Sequence, residues 1–432
     1  MATRHPRKPA SAAGPPVELV IEALGALGDG LARHGGERVF VPFALPGERV
    51  TARILGRRAD GLEARLIQLS EPAPTRIKPA CRHFGSCGGC AAQHLARPAY
   101  AAWKRRVVED ALARRGLKDI AVEPPMPIAP GTRRRAELTL MGTQRRILAG
   151  FAQHASHTIV DLAECPVLLP AIVALIEPLR QSLAGWLKPG MRAEAAVVAS
   201  ESGLDLVLTL PAAPDLSLRE RLAALAQSQD LARLSWRQKH GELELLAGRR
   251  PFGTRFGGIW VALPPGAFLQ ASEAGEALIL DEVLSGIGRA KSVADLYAGA
   301  GTLSLPLARQ ARVHAVEGDA ALVQALDEAA RRLGGKRLSV EQRDLATDPL
   351  TAAELARFEA AVFDPPRAGA LSQARELALS PVPLVVAVSC HPGSFARDAR
   401  ILVDGGYRLQ RVVPIDQFLW SAHIELVAWF RR

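Results

Sequence analysis

Cysteine is scarce in this 432-residue chain: Cys81, Cys87, Cys90, Cys165 and Cys390 are all it has. A disulfide scaffold is excluded, because such scaffolds are dense in cysteine and even in number. No uncharged apolar run reaches the ~18 residues of a membrane span, so no membrane partner is expected. Lysine is also rare, 8 residues against 46 arginines. No secretory leader is expected. Residues 1–16 carry Arg4, Arg7 and Lys8 without an apolar stretch and read as a disordered basic tail.

What is present is an ordinary globular composition, 48% apolar and 23% charged, in a length that suits two or three domains. With 54 basic and 44 acidic side chains the net charge is +10. Arginine makes planar, bidentate contacts with phosphate, so the excess suits a polyanion. A genome that encodes arginine in place of lysine explains the same count, and charge alone leaves both readings open.

Residues 17–72 carry four or five short strands with glycine turns: Val17–Ile21, Arg38–Phe43, Arg49–Leu55 and Leu62–Leu69, with Gly25–Gly36 read as turns. That spacing suggests a small β-barrel of oligonucleotide-binding type, and does not separate it from an SH3-like barrel or an unrelated β-module. Pro72–Pro79 is a linker, and three cysteines follow within ten residues. A helix is expected at about 98–115, with a basic face of Lys104, Arg105, Arg106, Arg114 and Arg115, packing on the C-terminal domain. Residues 73–262 otherwise read as a mixed α+β domain. From 263 to 432 strands and helices alternate, which predicts a parallel, doubly wound sheet.

The loop Asp295-Leu-Tyr-Ala-Gly-Ala-Gly301 closes a strand and opens a helix. Its glycines let the backbone approach a ligand, and the helix N-terminus adds donors. The next strand ends in Glu317, placed to bind two ribose hydroxyls. The third glycine of a dinucleotide fingerprint is missing, which favours S-adenosylmethionine over NAD. Asp364-Pro-Pro-Arg367 ends a later strand in a stiff, open loop beside the expected cofactor crevice. Ser389-Cys-His-Pro392 ends the one after it. A lone cysteine is usually a packing residue; Cys390 instead stands at a strand terminus facing the cofactor crevice, beside His391 and a helix start expected to lower its pKa. Cys81, Cys87, Cys90 and Cys165 make an all-thiolate set of four, which suits a tetrahedral zinc or an iron–sulfur cluster, and spacing does not choose.

Together these residues resemble the S-adenosylmethionine-dependent RNA uracil-5-methyltransferases. The resemblance covers nearly the whole chain and rests on Phe268-Leu-Gln270, Asp295–Gly301, Asp364-Pro-Pro-Arg367, Ser389-Cys-His-Pro392, His423-Ile-Glu-Leu426, the N-terminal barrel and the cysteine cluster. It is most like the 23S ribosomal branch, which has a TRAM domain and the cluster. The chain departs from the family at Ala298, which is not catalytic, and at Ser272 and Thr302, changes expected to alter affinity modestly. The resemblance implies a TRAM barrel over 17–72, a central iron–sulfur domain over 73–262 and a Rossmann-like methyltransferase domain over 263–432. It further implies a [4Fe–4S] cluster on Cys81, Cys87, Cys90 and Cys165. For S-adenosylmethionine it implies contacts from Gln270, Tyr297, Gly299, Gly301, Thr302, Glu317, Asp344 and Asp364.

The implied chemistry is addition of Cys390 to C6 of uracil, methylation at C5, and removal of the C5 proton by Glu425 with Asp364 positioning the base. Glu425 sits in an apolar strand, where desolvation raises a carboxyl pKa. The substrate uridine of 23S RNA would be flipped into the crevice. The basic helix and Arg133-Arg-Arg135 would contact phosphate, or form solvated faces. A cytoplasmic monomer is expected. The competing readings are the same chemistry on transfer RNA or on several RNA sites, an amino-group methyltransferase, which would not need Cys390, and a non-catalytic RNA-binding protein with this fold.

Overall fold

The computed structural model describes residues 15–334 and 337–432. Most of the expected basic tail, 1–14, lies outside the described residues. The chain divides into two units: the residues up to Val107 together with Trp420–Ala422, and Val108–Leu419 together with His423–Arg432.

The first unit carries a six-stranded sheet in the order Pro16–Val20, Arg49–Arg58, Gly61–Glu71, Glu37–Val41, Gly30–His34, Ala23–Leu24. Gly30–His34 corrects the sequence reading, which had only turns there. It pairs with Glu37–Val41 across Gly35 and Gly36, with φ of 57° and 83°. Two consecutive positive φ values make a hairpin turn whose twist matches the strands, so glycine here marks a hairpin tip as well as a loop. Leu19, Ile21, Val39, Val41, Val50 and Ala52 fill its core.

The second unit contains two large sheets. The first runs Ile159–Asp161, Ile147–Ala152, Arg135–Gly142, Arg192–Ser200, Gly203–Leu210, Arg233–Gln238, Glu244–Gly248. Its pairs are antiparallel except Gly203–Leu210 with Arg233–Gln238. That parallel pair needs a crossover, supplied by the helix Leu216–Ser228. This helix and Pro170–Leu183 bury leucines against the sheet.

The second sheet runs Leu338–Gln342, Arg312–Glu317, Ser292–Leu296, Ala360–Phe363, Leu384–Ser389, Glu425–Arg431, Arg408–Asp416, Met126–Pro127. The first five strands are parallel; Glu425–Arg431 is antiparallel to both of its neighbours. The expectation of a parallel sheet is therefore corrected to a mixed one, because a short connection forces the last two strands into an antiparallel pair. Successive residues enter two cores on opposite faces: Val293, Val313, Val362 and Val386 one, Ala294, Val316, Phe363 and Ala387 the other. Val108, Ala111 and Leu112 join the second core. Strand order runs outward in both directions from Ser292–Leu296 and Ala360–Phe363, which places the crevice at the carboxyl ends of these strands.

Candidate active site

Five chain segments deliver the candidate residues to that edge. Tyr297 follows Leu296, Asp364 follows Phe363, Cys390 follows Ser389, Glu317 ends its own strand, and Glu425 begins the antiparallel one. Register places the last two chemical groups: Ser389 pairs with Leu426, so Cys390 and Glu425 stand side by side one step further on.

The glycine loop turns sharply. Tyr297, Gly299 and Gly301 have φ of 63°, 56° and 95°. Gly301 is required sterically, since a Cβ there would lie 2.4 Å from Leu326 Cδ1. Gly299 N donates to Glu317 Oε2 (2.8 Å), while Gly318 N and Asp319 N donate to Oε1 (2.7 and 2.9 Å). The carboxylate is thus held in place and keeps a free lone pair on Oε2 for a hydroxyl. Asp295 is buried beneath the loop, accepting from Ser304 Oγ at 2.5 Å, and burial pushes its carboxyl up to about 7. Tyr297 is half-buried, and burial among carboxylates pushes its phenol up to about 12. Thr302 is half-buried at the start of the turn into the helix. Asp344 is exposed past Leu338–Gln342, accepting from Ala346 N (3.0 Å) and Thr347 Oγ1 (3.0 Å).

The catalytic candidates share a pocket of carboxyls and amides. Asp364 Oδ2 accepts from Gln270 Nε2 (3.0 Å), and burial pushes Asp364 up to about 7. Glu425 is buried; Oε2 accepts from Gln417 Nε2 (2.7 Å), and Oε1 has no partner among the described residues. Desolvation and the Asp364 charge hold its carboxyl well above the usual range. The thiol of Cys390 is pushed up to about 11, first by burial and then by Glu425 and Asp364. This corrects the expectation of a lowered thiol pKa. His391 caps the helix Pro392–Asp404, its Nδ1 accepting from Ser394 N, so it is held there as a neutral acceptor. Burial also lowers its pKa.

Sequence reasoning missed Gln417 and Arg135 as members of this pocket. Arg135 stacks over the exposed Phe268 ring at 3.8 Å, its Nε lacks a partner, and its charge acts on both Cys390 and Glu425. Arg134, grouped with it as a phosphate contact, is instead buried and bonded to Gln270 O and Glu276. Lys104 is likewise buried, over the Tyr100 and Trp103 rings, and is not a phosphate contact; Arg105, Arg106, Arg114 and Arg115 remain exposed. Successive side chains alternate faces in a strand and turn by about 100° in a helix, so a run of like charges need not share a face.

Cys81, Cys87 and Cys90 lie in the first unit and Cys165 in the second. His83 N and Gly89 N donate to Cys81 Sγ and Cys87 Sγ, each at 3.4 Å. Among the described residues no group of three or more histidine, cysteine or acidic side chains is gathered to hold a metal ion.

Residues 14–67 match the TRAM domain model. An RNA methyltransferase of Brucella suis is 45% identical across 95% of this chain and 97% of its own. The 23S rRNA (uracil(1939)-C(5))-methyltransferase RlmD of Halomonas elongata is 37% identical across 94% and 88%. In fold, the chain is similar to the tRNA (uracil-54, C5)-methyltransferase of Pyrococcus abyssi in complex with S-adenosyl-L-homocysteine, with a TM-score of 0.74, 23% identity and coverage of 96% and 99%. With a strand-edge thiol, buried carboxyls and a glycine loop on a mixed sheet, and with relatives at this identity along nearly its full length, the chain belongs to the TRAM-containing RNA methyltransferases, the family that includes RlmD.

Proposed function

We propose that this protein methylates C5 of a uridine in 23S ribosomal RNA with S-adenosylmethionine, through a covalent adduct on Cys390. The observation that carries the reading is the placement of Cys390 and the buried Glu425 at one sheet edge, one step beyond the Ser389–Leu426 pair, where the charges of Glu425 and Asp364 act on the thiol. A thiol and a base of raised pKa serve a reaction at a poorly nucleophilic carbon; an amino-group methyltransferase needs neither.

As a thiolate, Cys390 Sγ bonds to C6, and the C5–C6 electron pair moves into an enolate. C5 takes the methyl from the sulfonium, leaving S-adenosylhomocysteine. Glu425 removes the C5 proton, and the released pair expels Sγ. Asp364 and Gln270 face the base. The glycine loop and Glu317 hold the nucleoside part of the cofactor, with Tyr297, Thr302 and Asp344 around it. RlmD acts on 23S rRNA by its name, and similarity to it supports ribosomal RNA as the substrate. The TRAM domain and the exposed arginines would grip the RNA around a flipped uridine.

The family resemblance implies that Cys81, Cys87, Cys90 and Cys165 would hold a [4Fe–4S] cluster; an all-thiolate set by itself suits zinc equally, and among the described residues these thiols are not gathered as a metal site. A cluster ligated by four thiolates has no open iron and would serve as a structural brace. Among the described residues no helix is long and apolar enough to cross a membrane; a cytoplasmic monomer accords with a cluster-bearing RNA enzyme.

The test is methyl transfer to unmodified 23S RNA, with transfer RNA assayed in parallel. Cys390→Ala should abolish transfer yet keep S-adenosylhomocysteine binding, and Glu425→Gln should accumulate a protein–RNA adduct stable to denaturant. Turnover by Cys390→Ala near the wild-type rate would sink the covalent scheme. Equal transfer to transfer RNA would overturn the ribosomal assignment.

A further inference from the structure

Gln417 follows the strand Arg408–Asp416 and is 3% exposed. Its amide is fully used. Oε1 accepts from Ala271 N (3.1 Å), and Nε2 donates to Glu425 Oε2 (2.7 Å) and to Gln270 Oε1 (2.9 Å). Gln270 Nε2 in turn donates to Asp364 Oδ2 (3.0 Å). Two amides therefore link the two buried carboxyls in one chain.

The direction of that chain is fixed by a group that cannot rotate. The Ala271 N–H is a backbone donor, so the oxygen of Gln417 must face it and the nitrogen must face Glu425 and Gln270. Gln270 then presents its oxygen to Gln417 and its nitrogen to Asp364. Glu425 Oε2 and Asp364 Oδ2 are thus both acceptors, and a proton on Glu425 belongs on Oε1, which has no partner among the described residues. Space for this is built in. A Cβ on Gly275 would lie 2.9 Å from Gln417 Cβ and Oε1, so glycine lets the helix Glu273–Ile287 approach the side chain.

We infer that Gln417 is a positioning residue that holds Glu425 by Oε2 and leaves Oε1 as the atom that takes the C5 proton. This rests on the reading of Glu425 as the base. The charged and titratable groups that act on Glu425 and its neighbours are Asp364, Arg135 and Cys390. Removing the Gln417 donor leaves Asp364 and burial opposed only by Arg135.

The experiment uses the full-length protein and 23S RNA carrying tritium at uridine C5, from pH 6 to 9. Gln417→Met keeps the side-chain length without donors. Gln417→Glu keeps an acceptor for Ala271 N–H but sets a third carboxyl against Glu425. In both, S-adenosylhomocysteine binding and adduct formation should persist, while tritium release at neutral pH falls about 10- to 100-fold, the value of a hydrogen bond to a charged group. The ascending limb of the pH profile should move to higher pH. An unchanged profile in either variant overturns the inference, as does loss of S-adenosylhomocysteine binding in both, which would make Gln417 a structural residue. Wild-type protein that releases no tritium would overturn the uridine reading itself, and the inference with it.

Discussion

Arg134→Ala should destabilise the protein by about 3–5 kcal/mol, the cost of breaking a buried ion pair by removing one partner. The guanidinium is 2% exposed; Nε donates to Gln270 O (2.9 Å) and Nη2 to Glu276 Oε2 (2.5 Å). Truncation leaves a backbone carbonyl and a largely buried carboxylate without their donor. These losses share one side chain and are not summed. Burial already raises the Glu276 pKa against the pull of Arg134, so in the variant it rises further. A carboxyl whose folded pKa is raised loses stability as pH climbs through that pKa. The deficit should therefore be larger at pH 7 and shrink as pH falls through the raised pKa towards the usual 4.5, below which folded and unfolded states are both protonated and it no longer changes. At roughly 2–4 °C per kcal/mol for a domain of 150–250 residues, calorimetry should read a drop on the order of 10 °C. Arg134→Met with Glu276→Leu should recover most of it, because no buried charge is left over. A drop worth under about 1 kcal/mol, or an equal deficit for Arg134→Met in the Glu276→Leu background, would refute the buried-pair account.

Other expectations follow from the same pocket. The rate of methyl transfer should rise from neutral into alkaline pH, because the thiol at about 11 must ionise and Glu425, held well above 4.5, must be ionised to accept a proton; an optimum below pH 6 in kcat/KM contradicts both shifts. Gly301→Ala should weaken S-adenosylhomocysteine binding in calorimetry and cost about 1–3 kcal/mol of stability, since its Cβ meets Leu326 at a φ of 95°; unchanged affinity would remove the loop from the cofactor site. Anaerobically purified protein should be brown, with iron and sulfide near four each per chain, as a [4Fe–4S] cluster requires. It should lose that colour on Cys87→Ser; colourless protein with one zinc would replace the cluster assignment.

The strand Arg312–Glu317 was legible to the residue, as was Leu384–Ser389, because short stretches carrying two or three valines end there in Glu or Ser-Cys-His. The short strand Leu338–Gln342 and the edge pair Met126–Pro127 were not. Their residues carry no distinctive pattern, and they become strands only because a neighbour offers its free hydrogen-bonding edge. Arg133-Arg-Arg135 shows the same limit in charge. One sign repeated three times reads as one surface, yet Arg134 enters the interior and Arg135 stacks on Phe268.

By itself the sequence determined which groups stand at one edge of the second sheet. A glycine loop, Asp-Pro-Pro and Ser-Cys-His each sit where strand–helix alternation must turn, a local pattern, and Glu425 opens the last apolar strand. Only the tertiary structure decided their electrical state. Packing Cys390 beside Glu425 and Asp364 raises a thiol that its helix start alone was expected to lower, because desolvation and like charge depend on what the fold brings near. The orientation of the Glu425 carboxyl belongs to the same class. It follows from Gln417 and a backbone N–H 146 residues away in sequence, a contact no local pattern records.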